Sequence, residues 1–150
     1  LIEGLRQTFM DSSIIFFEMP ADTSLIVVVC ALVKTFAEAK GMKKEDSRRL
    51  ELAVDEIATN AVMYGCGGDS AKRYRGEVET REGRVIVRIY ERGPGFVLPP
   101  EQPTALPASI QDISIGGRGI LLARKMTDEI RYENNPGGEN CFTIIKRIVP

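Results

Sequence analysis

Between residues 13 and 19 the chain is almost continuously apolar, rich in β-branched and aromatic side chains, and stopped by Pro20, a pattern that predicts a strand. The period then lengthens. Asp22 or Thr23 is placed to cap a helix in which Leu25, Val28, Val29, Leu32, Val33 and Phe36 recur at helical spacing until Gly41. A second helix is predicted over residues 44–64, with Leu50, Val54, Ile57 and Ala61 as its buried stripe and Gly65 as its stop. Two alternating runs follow, 76–81 and 84–90, and the Glu82-Gly83 pair between them predicts an antiparallel hairpin. Gly93-Pro94-Gly95 breaks the second run. Residues 97–115 hold Pro99, Pro100, Pro103 and Pro107 with little periodicity, which reads as a lid over a site. A short helix at 120–126 and strands at 129–133 and 141–149, joined by the turn Asn134-Asn135-Pro136-Gly137-Gly138, complete the chain.

At 150 residues the chain fits one domain burying roughly 70% of its unfolded surface, with residues 1–12 read as a linker or N-terminal extension. Its 20 basic and 21 acidic residues nearly cancel, so neither a nucleic-acid nor a membrane partner is expected. The locally basic stretch 72–88 is interrupted by Glu77, Glu79 and Glu82 and reads as a solvated strand and turn. Cys30, Cys66 and Cys141 are odd in number and widely spaced, which argues against a zinc site or a disulfide framework. The chain contains no histidine. That excludes a Ser-His-Asp triad, a Cys-His dyad and phosphorylation on histidine within these residues. The longest apolar run, 25–33, falls far short of the roughly 20 residues a membrane span needs, and a cytoplasmic protein is expected. The start at Leu1 suggests a piece of a longer polypeptide.

Three segments could carry chemistry. Glu56 and Asn60 stand four apart on the second helix, so both leave the same face one turn apart. A carboxylate there can accept the proton of an attacking hydroxyl, and an amide oxygen is a hard, uncharged ligand suited to Mg²⁺. The same spacing also describes an ordinary wet helix face shared with Asp55 and Thr59. Glu91-Arg92-Gly93-Pro94-Gly95-Phe96 sets a carboxylate at a strand end beside two glycines, where it could accept from an exocyclic amine, or simply terminate the strand. Gly116-Gly117-Arg118-Gly119 runs straight into an apolar helix, a junction that invites phosphate onto unpaired N–H groups. Neither glycine segment has Walker or Rossmann spacing.

In this order the segments resemble the GHKL ATP-binding superfamily. LAVDEIATNAVMYG at 52–65, ERGPGF at 91–96 and GGRGILLARKMTDEI at 116–130 are most similar to bacterial anti-sigma factor serine/threonine kinases, and the likeness runs from about Phe17 to Ile148, including Pro20-Ala21-Asp22. The resemblance implies an α/β two-layer sandwich of the Bergerat type, with a mixed, mostly antiparallel sheet and helices on one face. It implies ATP and Mg²⁺ as ligands, Asn60 on the metal, and Glu56 as the base. Glu91, Gly93 and Gly95 would then lie at the adenine and Gly117, Gly119 and Arg118 at the phosphates. Implied partners are a STAS-domain anti-anti-sigma protein and a sigma factor; a homodimer is compatible with it. Three departures accompany the likeness. Glu91 replaces the usual aspartate, extending the carboxylate by about 1.5 Å. Tyr64 replaces a common histidine, and a Gly-Thr pair is not evident around Glu139 and Asn140. A regulatory module that binds nucleotide without transferring phosphate therefore stands beside the kinase reading, as does the ATP-binding domain of a histidine kinase or of a multidomain regulator.

Overall fold

The computed structural model describes residues 13–95, 97, 98 and 115–150, with the side chains of residues 115–118 outside that set. Five strands form one sheet in the order β1-β2-β3-β5-β4: β1 Ile14–Pro20, β2 Arg73–Arg81, β3 Arg84–Glu91, β4 Glu129–Glu133 and β5 Asn140–Arg147. Every pair is antiparallel, so the expected mixed sheet is corrected to a wholly antiparallel one among the described residues. The physical reason is connectivity. β2 and β3 are joined by a two-residue turn in which Glu82 (φ 50°) and Gly83 (φ 72°) both take positive φ, the geometry that matches strand twist.

Register sorts the side chains. Val78, Val87, Ile144 and Ile130 align across four strands on one face, as do Ile89, Phe142 and Tyr132 one pair away. Three helices cover that face: α1 Ile26–Ala39, α2 Lys44–Asn60 and α3 Ile115–Met126. Asp22 caps the 3₁₀ turn Thr23–Leu25 that leads into α1, its carboxylate accepting from Ser24 N at 2.9 Å. The opposite face carries charge, with Arg88 bridging Glu77 at 3.0 Å and Glu79 at 3.3 Å. Among the described residues no helix is long and apolar enough to cross a membrane.

The predicted stripe of α2 is the observed one, Leu50, Val54, Ile57 and Ala61 all being buried. α1 is turned relative to expectation. Ile26, Val29, Cys30, Val33, Phe36 and Ala37 face the core while Val28 is 51% exposed, because apolar residues surround that end of the helix and its periodicity cannot fix the rotation. The last strand begins at Asn140 rather than Cys141, a difference that matters for the site.

All three cysteines are buried and unpaired. Burial, followed by the charges of Asp55 and Glu51, pushes the Cys30 thiol up to about 12, and burial likewise lifts Tyr74 to about 12. Both groups ionise more readily in the unfolded chain. Their contribution to stability is therefore complete below pH 9 and lost as pH rises toward 12. Urea midpoints measured from pH 8 to pH 11 should fall steadily above pH 9, and the fall should be shallower in Cys30→Ala.

Candidate functional site

α2 and its continuation form the spine of the site. Glu56 and Asn60 project one turn apart, and after Asn60 the helix widens into a π turn, Ala61–Gly65, in which Cys66 N donates to Ala61 O at 2.9 Å. At helical rise, Gly65 lies about 7 Å beyond Asn60. Glu56, Asn60 and Gly65 thus succeed one another along one axis.

The segment after β3 docks on the far end of this axis. A Cβ added to Gly93 would strike Gly65 O and come within 2.7 Å of Gly65 Cα, so the two main chains lie directly against each other. Only glycine allows that approach. A Cβ on Gly65 would in turn meet the Glu91 carboxyl carbon at 2.6 Å. Glu91, the last residue of β3, is 4% exposed and packed beneath this contact. Its Oε1 accepts from Asn140 Nδ2 at 2.9 Å and its Oε2 accepts from Gly93 N. The longer Glu91 side chain, expected to push its carboxylate further into the base pocket, ends in a carboxylate held by these two donors. At Gly95 (φ 77°) an added Cβ would meet the Asn134 side chain at 2.7 Å.

The near end of the axis meets α3. A Cβ on Gly119 would strike Glu56 Oε2, which places α3 against the carboxylate proposed as a base. Gly116, Gly117, Arg118 and Gly119 lie inside α3, which begins at Ile115; the expectation of a turn emptying into a helix at Ile120 is corrected accordingly. Close packing on α2 accounts for the difference, since Gly119 gives room for Glu56 that any side chain would fill. What surrounds Gly117 and the Arg118 side chain lies outside the described residues, as do Phe96 and residues 99–114 of the predicted lid.

Asn60 sits between the two docked segments. It is 8% exposed, and its Nδ2 is buried without a hydrogen-bond partner among the described residues. Leaving such a group unpaired costs about 1–3 kcal/mol, a cost that a bound ligand would relieve. The carboxamide presents oxygen or nitrogen by rotation about its last torsion, so it suits a cation or a phosphate oxygen equally well. An amide whose Nδ2 has no partner among the described residues, on a helix that glycines contact at Glu56 and at Gly65, fits a metal–nucleotide ligand. A groove of about 420 Å³ between α1 and α2, lined by Ile26, Val27, Cys30, Leu52, Asp55 and Thr59 among others, contains none of the candidate residues and lies on another side of α2.

Sequence reasoning missed Asn140. It is 1% exposed and paired in register with Glu91 at the end of β3 and β5. The available signal was its place where a Gly-Thr pair was sought, which showed a departure but no partner.

A family model described as the histidine kinase-like ATPase domain matches residues 19–146, a span that holds every candidate position. The chain belongs to this family. Within the histidine kinase-like ATPases it is 28% identical over 138 residues to the serine-protein kinase RsbW of Bacillus velezensis, covering 85% of this chain and 84% of that protein. The fold also matches the RsbU and RsbW domains of a Mycobacterium tuberculosis protein, with TM-score 0.65, 18% identity, and coverage of 91% of this chain but 32% of that one. The SiaB-SiaC complex of Pseudomonas aeruginosa contains a similar chain, with TM-score 0.62, 16% identity and 96% coverage of both chains. For this ATPase-domain site, Gly93→Ala is expected to cost about 1–3 kcal/mol in denaturant unfolding, because its new methyl meets backbone that cannot swing aside.

Proposed function

We propose that this chain is an ATP-dependent serine/threonine protein kinase of the anti-sigma type, phosphorylating a STAS-domain anti-anti-sigma partner and sequestering a sigma factor in the cytoplasm. One observation carries the proposal: both glycine segments dock on the helix axis of Glu56 and Asn60, one at Glu56 through Gly119 and one at Gly65 through Gly93. Those contacts stand before and after Asn60 along the helix, and its buried Nδ2 has no hydrogen-bond partner among the described residues.

In this reading Asn60 ligates Mg²⁺, and Glu91 with Gly93 and Gly95 forms the base end of the pocket. Gly117, Arg118 and Gly119 serve the phosphate end. Bound Mg²⁺ supplies charge neutralisation on the phosphates. Glu56 accepts the proton of the partner's hydroxyl as the hydroxyl oxygen bonds to the γ-phosphorus, the bond to the β-phosphate oxygen breaks, and ADP leaves. Positioning and electrostatics account for most of such a reaction, so a carboxylate and an amide held on one rigid helix are adequate machinery. The SiaB-SiaC complex, a similar fold assembled with a second protein, supports a protein partner.

A regulatory module that binds nucleotide without transfer is favoured by one feature, the engagement of both Glu91 oxygens within the protein. Titration calorimetry with ATP and Mg²⁺, followed by label transfer from γ-labelled ATP to a STAS domain, tests both readings. Binding with transfer upholds the kinase. Binding without transfer to any STAS domain encoded beside it leaves the module, and no binding removes both.

A further inference from the structure

β5 carries a lysine on the core face of the sheet. Register sets Lys146 opposite Val85, on the side where Val87, Ile89 and Ile144 pack beneath the helices, and it is 8% exposed. A buried ammonium needs partners. Its Nζ donates to Met126 O at 2.8 Å and stands 3.9 Å from Asp46 Oδ1, so it joins the last turn of α3 to the first turn of α2. A cation there also meets the negative end of the α3 dipole. Beside it, Thr127 Oγ1 donates to Ala123 O at 2.8 Å, and Asp128 N donates to Ile145 O at 3.0 Å. The end of α3 is thereby fixed to the sheet.

The other end of α3 rests on the site. Gly119 lies against Glu56, about 10 Å along α3 from Met126, and the two contacts together run α3 antiparallel to α2. Between them Ile120 and Ala123 are buried. A face made of a glycine, an alanine and an isoleucine buries similar area when the helix slips along its neighbour, so apolar packing leaves the axial register weakly set. A buried polar contact, satisfied in one position, sets it. One residue of slip moves the helix by about 1.5 Å.

We propose that Lys146 is a positioning residue for the phosphate end of the site: by holding Met126 O it sets how far α3 lies along α2, and so where the backbone at Gly119 meets Glu56 and the nucleotide phosphates. This rests on the nucleotide-binding reading above. Lys146 itself touches no ligand in that reading. Slippage of α3 would carry its N–H groups off the phosphate oxygens while leaving the opposite end of the pocket, built on Gly65 and the end of β3, in place. Only the phosphates should register the loss. One hydrogen bond to a charged group corresponds to roughly ten- to hundredfold in affinity.

The test compares ATP, titrated by calorimetry in Mg²⁺, with adenosine, titrated by protein NMR shifts that read binding into the millimolar range. Wild type should bind ATP far more tightly. Lys146→Met, of similar length and without a donor, should weaken ATP binding by about ten- to hundredfold and leave adenosine binding within about twofold of wild type. Lys146→Gln stays polar, but its amide nitrogen ends one bond short of Met126 O; it should show the same split and carries the test if the methionine variant does not fold. Equal loss for the two ligands would mean that Lys146 is purely structural and would overturn the assignment. Unchanged ATP affinity in a folded variant would overturn it too, as would a wild type that binds ATP no better than adenosine. Wild type binding neither ligand would instead bring down the nucleotide reading on which the assignment rests.

Discussion

Asn60→Ala is expected to reduce Mg²⁺-dependent ATP affinity by roughly a hundredfold or more while leaving the ligand-free fold as stable as wild type, or slightly more stable. The two halves have one cause. Asn60 is buried and its Nδ2 has no partner among the described residues, so the free protein bears the cost of a desolvated donor. Deleting the amide removes that cost, against which stands only a small cavity. A residue whose loss spares the fold and removes ligand binding is one kept for the ligand. Calorimetry with and without Mg²⁺ reads the affinity, and thermal unfolding of the ligand-free chain reads the stability. Identical titrations for variant and wild type would count against the site. A large drop in stability would show that the amide has a structural partner after all.

Glu56→Gln separates binding from chemistry. The amide is nearly the same size, so the contact with Gly119 that seats α3 on α2 persists, but it cannot take a proton from a hydroxyl. Phosphoryl transfer to a STAS domain should fall by roughly 10²–10⁴-fold, with ATP affinity within about twofold of wild type. Single-turnover transfer from labelled ATP measures the first quantity and titration the second. Undiminished transfer would remove Glu56 from the role of base. A parallel loss of ATP affinity would make it a binding group instead.

How much of this site could be read from sequence differs by residue. Glu56 and Asn60 were legible because the stripe of Leu50, Val54, Ile57 and Ala61 fixes the rotation of α2 and hence the face on which they stand. Glu91 was legible at the end of an alternating strand whose register the Glu82-Gly83 turn sets. Asn140 was not. Its partner lies 49 residues away in sequence, and only the pairing of β5 with β3 brings the two side chains together. The π turn after Asn60 was equally hidden, since nothing in Ala61-Val62-Met63-Tyr64-Gly65 distinguishes a widened turn from ordinary helix until Gly65 must reach Gly93.

By itself the sequence determined the alternation of strands and helices, the buried face of α2, the hairpin between β2 and β3, and the three polar segments that align with histidine kinase-like ATPases. Those are properties of local period and turn chemistry, which operate over a few residues. Tertiary structure alone decided which way α1 turns, that the glycines at 116–119 lie within α3, and that Glu91 is held by Asn140. Each of these depends on the shape and hydrogen-bonding capacity of a surface distant in sequence. Local patterning is silent there, because several arrangements bury similar apolar area and only one satisfies the polar groups between them.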